Sequence, residues 1–125
     1  MGMFYYYDFN DSEVFIFDNF LVNQIKEGVT VTPAHNEKLR EVLDTHFANK
    51  NVVYISNRYF SYSVDPLTYL ETSKIHNLVA MAIVADSAIA KSNAKLESMF
   101  YKKNFEIFGT LSEAIAWSQK QLELS

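Results

Sequence analysis

The run Leu78 to Ala85, LVAMAIVA, is eight consecutive apolar residues. A half-buried strand would alternate apolar with polar residues, and a surface helix would show a wet face every turn. An unbroken run this short is what a strand covered on both faces reads like, one buried centrally in a parallel sheet. Its three alanines let neighbouring elements approach closely.

The flanking sequence supplies the other elements. Phe4 to Phe9 is aromatic and β-prone, and Asn10-Asp11-Ser12 is a polar turn. Val14 to Ile25 is a second strand-like run that Asp18-Asn19 can break, so the chain opens with a hairpin. After the short Val29 to Val31, Thr32-Pro33 places a cap before a proline at the first helical position. Leu39, Val42, Leu43, His46 and Phe47 then form one stripe at helical spacing. Val52 to Ile55 reads as a strand, alternation in Tyr59 to Ser63 as a short extra one, and Asp65-Pro66 opens a helix reaching about Ile75. Ser87 can cap a helix to about Tyr101, with Ile89, Leu96, Met99 and Phe100 facing inward. Phe105 to Phe108 is the last strand. Thr110-Leu111-Ser112-Glu113 reads as a capping box opening a helix that carries Leu111, Ala114, Ile115, Trp117 and Leu122.

The order is β-β-α-β-α-β-α-β-α, without repeats or linkers. It predicts a single α/β domain over residues 1–125, with a mostly parallel sheet of about five strands, an antiparallel N-terminal hairpin and four main helices. A chain of 125 residues is long enough to bury one core.

Eleven basic against fifteen acidic residues leave a net charge of -4. With Lys102-Lys103 the only adjacent basic pair, no nucleic-acid partner is expected. The absence of cysteine removes disulfides, thiolate metal sites and a cysteine nucleophile, and fits a reducing, cytoplasmic setting. MGMFYYYDFND lacks the basic and apolar regions of a signal peptide, and no run is long enough for a membrane span. Gly2 fits a myristoylation site poorly, because Tyr6 stands where that motif has Ser or Thr.

The segment LVAMAIVADSAIAKSNAKLESMFYKKNFEIFGTLSEAIAWSQKQL resembles the SpoIIAA-like superfamily. The likeness rests on the apolar strand ending Ala85-Asp86-Ser87, the helix after it, the strand Phe105-Glu106-Ile107-Phe108, and Thr110-Leu111-Ser112-Glu113-Ala114-Ile115-Ala116-Trp117. That group includes the STAS domains of sulfate transporters and anti-sigma factor antagonists, with small uncharacterised bacterial proteins the nearest in kind. The resemblance implies a regulatory or protein-interaction module and not an enzyme. The antagonists' phosphorylation switch, Asp-Ser followed closely by Gly, does not carry over. Ser56-Asn57-Arg58 follows the Val52 to Ile55 strand, and Asp86-Ser87 is followed by Ala88-Ile89.

Ligands of open α/β sheets bind outside the carboxyl ends of the strands. Ser56, Asn57, Arg58, Asp65, Asp86, Ser87 and Thr110 are therefore the candidate partner or anion site, because helix N-termini there present free N–H groups. The competing reading is that Asp65, Ser87 and Thr110 only cap helices, while Asn57 and Arg58 are solvated loop residues. Tyr54, Tyr59, Phe60 and Tyr62 are a candidate aromatic surface, or with Met99 the lining of a pocket for a small molecule or lipid. That pocket would parallel the CRAL-TRIO lipid-transfer domains of related fold. His35, His46 and His76 have no metal-binding spacing, and His46 reads as a satisfied boundary histidine. No catalytic motif is present, and no metal or cofactor is expected. The aromatic strand Phe4 to Phe9 is the edge through which a homodimer would form, and Ser61, Ser63 and Ser87 are the serines open to phosphorylation.

Overall fold

The computed structural model describes residues 5–60 and 62–125. The expectations placed on Gly2, Phe4 and Ser61 lie outside the described residues. Among the described residues, eight strands and four α-helices follow in the order β1 Tyr5–Asp8, β2 Ser12–Ile16, β3 Phe20–Ile25, β4 Thr30–Val31, α1 His35–His46, β5 Val52–Asn57, β6 Ser63–Val64, α2 Leu67–Thr72, β7 Leu78–Val84, α3 Ala88–Glu97, β8 Asn104–Phe108 and α4 Leu111–Leu124, with a 3-10 turn, Ser98–Phe100, directly after α3.

Six strands form one sheet in the order β1-β2-β3-β5-β7-β8. The first three pair antiparallel and the remainder parallel. The expected hairpin is a three-stranded meander, because the chain turns at Phe17 to Asn19 and closes that turn with Phe17 N–H to Phe20 O at 3.0 Å. At the first turn Asn10 takes φ 72°, a left-handed conformation Asn tolerates better than most residues. Its N–H donates to Asp8 Oδ1 at 3.0 Å. The small β4 and β6 pair parallel with each other, so the extra strand lies at Ser63–Val64, with Tyr59, Phe60 and Tyr62 outside it.

β7 sits between β5 and β8 and divides the core by the two-residue period of a strand. Ala80, Ala82 and Val84 meet Phe20, Val22, Val53, Ile55 and Ala114, with Ile115, Trp117 and Leu122 of α4 packed against them. Met81, Ile83 and Ala85 face the opposite way, toward Val42, Leu43 and Phe47 of the α1 region, Tyr69 of α2 and Ala94 of α3. Helix α4 covers one face of the sheet, and α1, α2 and α3 share the other.

Three local expectations need correction. Helix α2 ends at Thr72, short of Ile75. The capping box is half formed: Thr110 Oγ1 accepts from Glu113 N–H at 3.2 Å, but the Glu113 carboxylate accepts from the Thr110 hydroxyl at 3.0 Å instead of reaching back to the backbone. Helix α3 is turned over. Ile89, Leu96, Met99 and Phe100 were placed inward by spacing, yet all four are exposed, and Ala94 is the buried residue of α3. The close approach that Ala90 and Ala94 permit outweighs the larger side chains in setting which face packs.

Candidate functional site

The parallel strands bring the predicted strand ends side by side, with Asn57 opposite Val84 and Val84 opposite Phe108. Their side chains do not converge. Ser87 Oγ accepts from Ala90 N–H at 3.1 Å, Asp65 Oδ1 from Leu67 N–H at 3.1 Å, and Thr110 caps α4 as described. Asp86, Ser87 and Thr110 are exposed, and the only side-chain bonds described for Ser87 and Thr110 are these caps.

The two residues read as solvated loop behave differently. Asn57 is half-buried and donates to Gln24 Oε1 at 3.2 Å. Arg58 is buried, and its guanidinium pairs with Glu97 of α3 through two nitrogens at 2.5 and 3.3 Å. The fork also donates through Nε to Tyr62 Oη at 3.0 Å, and Tyr69 Oη donates to Glu97 at 2.6 Å. Ser56 Oγ shares a hydrogen bond of 2.8 Å with Tyr62 Oη. Burial disfavours the charge on Arg58, but the Tyr62 oxygen and the Glu97 carboxylate more than offset it, so the guanidinium is held above its ordinary value. An arginine already paired with a bidentate carboxylate has little of its fork left for an incoming anion.

The aromatic set also splits. Tyr54 and Tyr62 line a cavity, whereas Tyr59 is 75% exposed with Phe60 edge-on to it at 4.9 Å, and Met99 is 71% exposed. The cavity lies between the sheet and helices α1 and α2. It measures about 80 Å³, counted as space open to the centre of a water molecule. Leu21, Ile25, Met81, Ile83, Leu39 and Val42 give it an apolar body. Asn23, Tyr54, Ser56, Tyr62, Asn36, Thr68 and Thr72 supply the polar lining. Asn36 is tied to α2 by Thr72 Oγ1 at 2.7 Å and by its own bond to Thr68 O at 3.1 Å, which fixes α1 against α2.

At the cavity's rim, His35 Nε2 meets Asp11 Oδ2 at 2.8 Å and the Thr32 N–H donates to His35 Nδ1 at 3.0 Å. With the Thr32 N–H on Nδ1 and Asp11 on Nε2, both ring nitrogens are engaged, and the ring has no free lone pair with which to take a proton from the Thr32 hydroxyl, 3.3 Å away. His46 is paired with Tyr7 Oη at 2.6 Å, the satisfied boundary position expected of it. No group of three or more metal-ligating side chains occurs among the described residues.

Burial pushes the hydroxyls of Tyr54, Tyr69 and Tyr101 above the ordinary phenol range, and Glu97 adds to this at Tyr69. All three stay neutral in the fold, whereas the unfolded chain ionises near pH 10. Their contribution is therefore fully present below about pH 10 and is lost as the pH climbs above it. A phenolate absorbance titration followed alongside circular dichroism is expected to show three of the eight tyrosines ionising only as the fold is lost. Complete titration of all eight in a folded chain would contradict the placement.

From sequence, Glu97, Asn23 and Asn36 carry no assigned role, whereas Tyr69 belongs to the tyrosine-rich stretch read as a partner surface or pocket rim. Glu97 lies 39 positions from Arg58 and carries no local signal of that pairing. Asn23 carries one, as one of two polar residues, with Gln24, inside a strand whose other four are apolar.

No family model and no curated protein matches the chain. Among solved structures it is similar to an uncharacterised protein of the DUF3478 family with a SpoIIAA-like fold from Shewanella loihica PV-4. The TM-score is 0.54 at 12% identity, over 90% of each chain. The agreement covers 90% of the chain and so reaches well beyond the C-terminal segment that carries the sequence resemblance, and the chain has the SpoIIAA-like fold.

Proposed function

We propose that this chain is a non-enzymatic, STAS-like interaction module that docks a protein partner on the outward face of α3. The observation that carries the reading is the exposed apolar stripe. Ile89 is 76% exposed and Leu96 63% on a helix whose small residues face the core, and Met99, in the 3-10 turn Ser98–Phe100 that continues it, is 71% exposed. Single exposed apolar residues need no explanation, but several on one helix mark an interaction surface.

Charge narrows the partner. Although the chain carries a net -4, Lys91, Lys95 and Lys102 are all exposed on or just after α3. The second member of the basic pair is engaged, since Lys103 Nζ donates to Ile75 O and Leu78 O at 2.6 and 2.7 Å. An apolar segment rimmed by Asp and Glu complements this face. The docking surface is thus the helix after the strand ends, in place of the strand-end loops. A reducing, cytoplasmic setting belongs to the same proposal and is supported by the lack of cysteine. No helix among the described residues is long and apolar enough to cross a membrane.

Leu96→Glu is expected to leave the melting temperature within about 2 °C of wild type, since surface changes lie within about 0.5 kcal/mol. It is expected to abolish co-purification of the partner from native lysate. Flotation with vesicles of anionic lipid provides the contrasting arm. Wild-type protein that floats, with Leu96→Glu that does not, would assign the stripe to a membrane surface and overturn the protein-docking reading.

A further inference from the structure

We propose that the cavity between the sheet and helices α1 and α2 binds a small, uncharged molecule, an apolar body carrying one amide or hydroxyl group that bonds to the Asn23–Tyr54 pair. This site is separate from the docking face of α3 and does not depend on it.

Asn23 and Tyr54 stand on the neighbouring parallel strands β3 and β5 and both line the cavity. Asn23 Nδ2 donates to Tyr54 Oη at 2.6 Å, while Asn23 Oδ1 is shut off from solvent and has no partner. A buried acceptor left unpaired is costly, and the cavity is where its missing donor would sit. The assignment survives rotation of the amide. As placed, the pair offers an Oδ1 acceptor and the Tyr54 O–H as donor. Rotated, it offers the Nδ2 donor and a lone pair on Tyr54. Either way, one donor and one acceptor on adjacent strands await a group that can match both, which an amide or an alcohol does.

The surroundings exclude a charged ligand. Arg58 is neutralised by Glu97, Asp11 is held by His35, and the Lys38 ammonium lies over the Phe9 ring at 5.0 Å at the rim. A carboxylate or ammonium inside would lose its hydration and would find on the lining only Lys38 and Asp11, each already engaged. Size sets the other limit. The 80 Å³ open to the centre of a water molecule admits several waters, or one aromatic ring with a short substituent. A long acyl chain does not fit. Most of the walls are strands and helices, with Phe9, Asp11 and Tyr62 added from loops, so most of the site is formed before the ligand arrives.

Methionine methyl groups labelled with carbon-13 give the test, because Met81 lines the cavity whereas Met99 lies on the exposed stripe. Benzamide and benzyl alcohol are expected to shift the Met81 methyl in a saturable manner and leave Met99 in place, while benzoate at neutral pH shifts neither. Asn23→Leu is expected to weaken benzamide binding about tenfold, the loss of one hydrogen-bonding anchor, with toluene binding kept or improved. Tyr54→Phe should give the same loss, and it stands in if Asn23→Leu does not fold. The proposal is overturned if no probe moves Met81 up to its solubility limit, which would leave a cavity for water only. It is equally overturned if benzoate binds as well as benzamide, or if both variants bind benzamide as tightly as wild type.

Discussion

Arg58→Met is expected to lower the stability of the fold by about 3–5 kcal/mol, because it leaves the Glu97 carboxylate buried without its counter-charge. The Arg58 side chain is 5% exposed and that of Glu97 14%, so little water is available to take over. For a chain of this length the loss corresponds to a fall in melting temperature on the order of 15 °C. The intact pair is not itself a large source of stability, since removing two charges from water costs nearly as much as their attraction returns. The double variant Arg58→Met with Glu97→Leu is therefore expected to recover most of the loss. Thermal melts of the two single variants and the double variant check this as a cycle. If the double variant were as unstable as Arg58→Met, the damage would come from packing around Tyr62 and Tyr69, and the ion pair would not be the cause.

The same substitution bears on α3. Apart from Ala90 and Ala94, that helix is tied to the domain through Glu97, which meets Arg58 from the end of β5 and Tyr69 from α2. Hydrogen exchange over residues 88–97 is expected to speed up in Arg58→Met more than exchange in β7. The latch thus positions a helix whose large side chains face outward.

Ala82→Leu is the second substitution with a large expected effect, costing about 3 kcal/mol, the upper part of the range for added methylenes in a packed core. Ala80, Ala82 and Ala114 each have 0% exposure, and they lie where α4 crosses the centre of the sheet. Three extra carbons at Ala82 must push α4 away or bend the sheet. Met81→Leu, one residue along on the opposite face, conserves volume beside a cavity and is expected to cost less than about 1.5 kcal/mol. Denaturant unfolding of both variants separates the two faces. Equal losses would mean that the division of the core by β7 is wrong.

The contrast between these faces explains how far the sequence could be read. LVAMAIVA announces a strand buried on both sides by its unbroken apolarity, and the order of elements around it follows from caps, prolines and helical spacing. What spacing could not show was which face of α3 packs. A period of 3.6 identifies a stripe of Ile89, Leu96, Met99 and Phe100, but not whether it meets the core or a partner, and here small residues take the inner side. The candidate site divides in the same way. Caps at Ser87 and Thr110 are local events, legible from a few residues. The role of Arg58 depends on Glu97, 39 positions away, and an arginine after a strand looks the same whether it is solvated or buried. The cavity depends on side chains from β3, β5, α1 and α2 meeting at one place, which no single stretch of sequence contains.

Photo-cross-linking in the native host is the most direct test of the central claim, that a protein partner meets the outer face of α3. A photoreactive residue is placed at position 96 in one strain and at position 86, on the exposed strand-end surface, in another. The account predicts a discrete protein adduct from position 96 that Met99→Glu removes, with none from position 86. An adduct from position 86 alone would contradict it and return the docking site to the carboxyl edge of the sheet.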